Sequence, residues 1–141
     1  MEEPDWLHPY LDAATRERFP YVWGQGDEAG KWGMEKERRR HADPEYRAED
    51  ESQILLRKNF SATGSFLNVD RPAALDLLGF SSQLVFDTFT SSPILRFDRD
   101  GESELAVTMA RAQHRAMLDW CSVDPRMLAV TVVRVGDMRA A

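Results

Sequence analysis

The residues best suited to chemistry fall in two places. Glu2, Glu3 and Asp5 crowd the start of the chain, and Asp87 and Thr88 close an apolar run, LVFDTF. Carboxylates serve as general acids, general bases and metal ligands. The plainer reading of the first group is a helix N-terminus, where the dipole favours negative charge. Asp87 and Thr88 stand where α/β proteins meet their ligands, at the C-terminal end of a strand. They are therefore candidate pocket residues, with a satisfied turn as the alternative.

The other reactive side chains are less informative. His8, His41 and His114 occur once each, with no H-x-H or H-E-x-x-H spacing that would aim two imidazoles at one metal ion. For each of them a surface or interface histidine is the plainer reading. No serine lies in a G-x-S-x-G elbow, and neither a G-x-G-x-x-G nor a Walker loop is present. Cys121 is the one cysteine, so it forms no internal disulfide and no thiolate cluster. It falls on the apolar side of a helix, where a buried, inert thiol is the ordinary case.

Two unlike halves must position these residues. Residues 1–60 are irregular, aromatic and charged, and residues 61–141 are periodic. EEPDWLHPYLDAATRERF predicts two short helical turns, with Pro4 starting the first and Asp12 capping the second. Trp6, Leu7, Tyr10 and Leu11 would form its apolar face. Four glycines make YVWGQGDEAGKWG a loop or loose hairpin. The stretch MEKERRRHADPEYRAEDESQ reads as a solvated loop or short helix. An anion contact through the basic run from Lys36 to His41 is the lesser alternative, because acidic residues flank it.

From Asp70 onward the elements are clearer. DRPAALDLLGF predicts a helix over 71–79, with Asp70 as N-cap and Gly79 as its stop. SQLVFDTF predicts a strand at 83–88, and SSPILRFDRDGES a loop. A helix over 103–122 carries Leu105, Met109, Ala112, Ala116 and Trp120 on one stripe, widened by Met117 and Cys121. MLAVTVVRV predicts a strand at 127–135, buried on both faces as in a parallel sheet. The unit at 83–135 is thus βαβ, and the architecture α/β, either a doubly wound sheet or a barrel.

Composition narrows the function classes. The chain has 141 residues, 43% of them hydrophobic, enough for one real core. A net charge of −6 disfavours nucleic acid, since neutralising phosphates takes a surplus of Lys and Arg. The longest apolar runs fall far short of the roughly 18–20 residues that span a bilayer. The start is acidic and lacks the apolar core of a signal peptide. The expected address is the cytoplasm, with neither membrane nor nucleic acid as partner.

Three stretches in order, EEPDWLHPYLDAATRERFP, RPAALDLLGFSSQLVFDTF and ARAQHRAMLDWCSVDPRMLAVTVVRVGDMRAA, resemble the N-terminal part of the amidohydrolase-related, metal-dependent TIM-barrel hydrolases. This branch includes the aminocarboxymuconate-semialdehyde decarboxylase-like enzymes. The resemblance covers essentially the whole chain, with 24–60 as a variable insertion. Its motifs belong to the scaffold rather than to catalysis. Two departures are visible: His114 stands where the family usually has Asn, and Glu3 where it has Pro.

The resemblance implies a partial (β/α)8 barrel, roughly its first third, since the whole fold takes ~250 residues. Residues 1–60 would be a helical and loop segment with a charged insertion, and 61–141 the β/α units. Glu2 matches the Glu of a D-x-H-x-x-E strand motif. The metal-ligating Asp-x-His is then expected just upstream of Met1, and the remaining ligands beyond Ala141. A full-length form would be a hydrolase or decarboxylase using a divalent metal, zinc being the expected one, on a small-molecule substrate. Glu2, Asp87 and Thr88 would line the pocket mouth, and this chain alone would bind no metal. The competing expectation is a non-catalytic fragment, or a module that self-associates or is completed by another chain.

Overall fold

The computed structural model describes residues 6–18, 35–36, 38–57, 61–65, 67–88 and 90–133. Glu2, Glu3, Pro4, Asp5 and the glycine-rich stretch up to residue 34 lie outside them. The described chain is mixed α/β, mostly helical, around one two-stranded parallel sheet.

The N-terminal segment forms the two expected turns. A 3-10 turn at His8–Tyr10 is followed by α1, Ala13–Arg18. Asp12 caps α1, its carboxylate accepting from the Thr15 amide at 2.8 Å. The charged region is more ordered than its composition suggests. Residues 38–41 are helical, and α2 spans Pro44–Ser52, capped by Asp43 with Pro44 in the first turn.

Helix α3, Arg71–Leu78, ends as expected at Gly79. Gly79 takes a φ of 71°, which a Cβ would oppose. This left-handed step lets the Phe80 amide reach back to the Leu75 carbonyl at 2.9 Å, closing a Schellman motif. Asp70 occupies the N-cap position but makes no side-chain cap. Its carboxylate instead pairs with Arg47 at 2.8 Å, tying the charged region to α3.

Strand β1 is Gln83–Val85 and β2 is Met127–Ala129, paired in parallel with Leu84 opposite Leu128. Both are shorter than their apolar runs, because the pairing goes only one step further: the Val130 amide donates to the Val85 carbonyl at 2.9 Å. Residues 131–133 continue without a strand partner among the described residues.

Between the strands lie two helices rather than one. The expected loop at 91–101 is instead α4, Ser91–Arg99. Ser-Ser-Pro reads as a turn, yet it equally suits a first helical turn, and Ile94 and Phe97 follow at helical spacing. Helix α5 covers Ser103–Cys121, close to its predicted span. The Glu102 amide links the two helices by donating to the Phe97 carbonyl at 2.9 Å.

Two apolar clusters hold the elements together. In the larger, Ile94 of α4 and Met109 of α5 meet Leu7 and Leu11, with Trp6, Tyr10 and Phe97 against them. Leu7, Ile94 and Met109 are fully buried, each worth about 1.5–3 kcal/mol of transfer free energy. In the smaller, Leu75, Cys121 and Met127 join α3 and α5 to the sheet. Among the described residues only one face of the sheet is therefore covered. Leu84, Phe86 and Leu128 are 58%, 65% and 48% exposed, so the expectation of strands buried on both faces is corrected. Side chains alternate sides along a strand, and no described element lies on the second side.

Candidate functional site

Because β1 and β2 run in parallel, their C-terminal ends open on the same edge, where ligand sites of α/β proteins sit. Asp87 and Thr88 follow β1 there. Asp87 is half-buried and Thr88 exposed. Asp87 serves the fold directly. Its Oδ2 accepts from the Ser91 amide at 2.6 Å, satisfying one of the orphan donors that begin α4. The negative charge also sits favourably at the N-terminus of that helix. Thr90, in the same loop, is fully buried and accepts from Trp6 Nε1 at 3.1 Å. The N-terminal segment is thereby fastened onto the loop that carries two of the three predicted pocket residues. Glu2, the third, lies outside the described residues.

The histidines do not converge. His8 is half-buried in the 3-10 turn. His41 is buried edge-on to Tyr46, with ring centroids 5.5 Å apart. His114 lies mid-α5 against the carbonyl of Val132. No three His, Cys, Asp or Glu side chains among the described residues are grouped so as to hold a metal ion. A metal needs three or four converging ligands, so these residues do not make its donor set.

Cys121 matches its expected character. Burial pushes the thiol above its ordinary range, and the neighbouring Arg71 guanidinium opposes this only in part. A thiol held protonated is a poor nucleophile. Tyr10 is pushed up to about 12, first by burial and then by donating its hydrogen to Asp119 at 2.7 Å. It buttresses α5, from which Arg115 in turn donates to the Tyr10 carbonyl at 2.8 Å.

The sequence gives little sign of a polar nest that Arg40, His41, Tyr46, Asp50, Arg57 and Thr63 build. Asp50 of α2 is fully buried. Its Oδ2 accepts from the Thr63 hydroxyl, and Arg57 Nε lies 3.3 Å from its Oδ1. Arg57 also reaches Glu49 at 2.9 Å. One turn before Asp50, Tyr46 is flanked by His41 and by the Arg40 guanidinium, 4.2 Å from its ring centre. A carboxylate this enclosed meets no solute. It fastens α2 to the segment that follows it. The nearest thing to a signal is the pairing of Tyr46 with Asp50 at helical spacing, which puts both on one inward face.

No protein-family model, curated protein or solved structure matches this chain.

Proposed function

We propose that this chain forms the first β/α units of an amidohydrolase-type (β/α)8 barrel. The complete barrel would be a metal-dependent hydrolase or decarboxylase acting on a small molecule, and these units alone would not catalyse. The observation that carries the reading is the one-sided sheet. Its strands are parallel, its helices lie on one face, and Leu84, Phe86 and Leu128 stand bare on the other. Barrel strands have this arrangement, with helices outside and apolar side chains packed layer on layer inside. Asp87 then stands at the ligand-facing rim.

The divalent metal of this reading, zinc by the family resemblance, would polarise a bound water or a substrate carboxylate. Its ligands would be residues other than those described. Cys121 stays reduced in the cytoplasm, which is the address the reading assigns.

A second reading draws on the same bare apolar row: a non-catalytic module completed by self-association or by another chain. Sequencing the DNA on both sides of the reading frame separates the two. In-frame codons for Asp-x-His before Met1, with a continuation beyond Ala141, support the barrel enzyme. Zinc analysis of the long product then checks the metal. Stop codons on both sides would overturn it and leave the module.

A further inference from the structure

Past the end of β2 the chain is gripped by two consecutive residues of α5. The Val132 amide donates to Gln113 Oε1 at 3.4 Å, a long bond, and the Val132 carbonyl lies 2.6 Å from His114 Nε2. A carbonyl only accepts, so Nε2 carries the hydrogen. The Val132 side chain packs against the larger apolar cluster. Both backbone groups of one residue beyond the sheet are thus taken up by side chains of one helix.

Gln113 makes this arrangement informative. It is fully buried in a helix stripe that is otherwise mainly apolar, and its Nε2 has no acceptor among the described residues. A buried amide nitrogen without an acceptor costs stability. A residue serving only to pack would be apolar here. Its hydrogen bond is with Val132.

We propose that Gln113 and His114 are positioning residues that clasp Val132 and so set the course of the segment leaving β2. Parallel pairing puts that segment on the same sheet edge as Asp87 and Thr88. The clasp therefore fixes the chain that leaves the sheet beside them on that edge. This inference stands apart from the barrel reading, since the clasp rests on the contacts of Gln113 and His114 with Val132.

The test is amide hydrogen exchange, resolved by NMR, on the full chain. His114→Ala is expected to speed exchange at Val132 and Val133 at least tenfold, leaving Leu128 and Ala129 within about twofold. His114→Gln keeps a donor of similar reach and is expected to restore protection. Gln113→Met keeps the volume, removes the acceptor and is expected to speed exchange at Val132. Unchanged exchange at Val132 in both His114→Ala and Gln113→Met would overturn the proposal. So would a uniform rise across β2, which marks general loosening. If His114→Ala does not fold, Gln113→Met against wild type decides by the same readout.

Discussion

The apolar layer between α4, α5 and the N-terminal turns, and the polar nest around Asp50, are both well buried and are built on opposite principles. In the first, Leu7, Ile94 and Met109 gain by leaving water, in any orientation that fills space. In the second, Asp50 loses its hydration and is compensated by one hydrogen bond from Thr63 and by the charge of Arg57, whose Nε lies 3.3 Å from Oδ1 without forming a hydrogen bond. Non-directional burial can be read from periodicity. Directional burial cannot, because it depends on partners that local sequence does not place.

This contrast can be broken by substitution. The largest effect is expected from Asp50→Ala, which leaves the buried Thr63 hydroxyl without its acceptor and Arg57 with Glu49 as its remaining carboxylate. Unfolding by urea, followed by tryptophan fluorescence, should show a loss of about 3–5 kcal/mol. A loss below about 1 kcal/mol would mean the nest is wet and the contrast false.

Met109→Ala tests the apolar side, with an expected loss of about 2–5 kcal/mol in the same measurement. Leu118→Ala, on the same helix but 62% exposed, should stay within about 0.5 kcal/mol. Equal losses at the two positions would show that α5 does not bury the stripe assigned to it.

Asp87 lies between the two principles, a polar residue with a local partner. Asp87→Ala should cost about 1 kcal/mol through the lost contact at the start of α4, and Asp87→Asn should recover most of it. A loss near zero would free Asp87 from its structural role and strengthen its claim as a ligand-binding residue.

Tyr10 offers the smallest effect. Its phenol is raised from 10.0 to about 12 in the fold, so the native state holds that proton more tightly than the unfolded chain. The contribution is complete below about pH 10 and is lost as pH rises through about 12. Urea unfolding at about pH 9 and about pH 11, on either side of the unfolded phenol's titration, should show a steeper decline for wild type than for Tyr10→Phe. Parallel declines would remove the Tyr10–Asp119 contact from the account.

How far the sequence could be read follows the same division. The stripe on α5 is legible because Leu105, Met109, Ala112 and Ala116 repeat at helical spacing, and all four are buried. Asp12 and Gly79 are legible because caps act within a few residues. Helix α4 is not, since Ser-Ser-Pro suits a turn and a helix start equally. What tips it is Asp87 from the preceding loop and the seat of Ile94 on α5. Asp70 has the composition of a cap, yet Arg47, distant in sequence, captures its carboxylate.

By itself, then, the sequence determined whatever depends on near neighbours and repeat: the acidic balance, the caps, the long amphipathic helix and the two apolar runs that became strands. The tertiary structure decided how short those strands are, which of their faces is bare, that Asp50 is buried, and that Gln113 and His114 meet Val132. Those outcomes rest on hydrogen bonds and contacts between residues far apart in the chain. Their geometry exists only once the helices have packed.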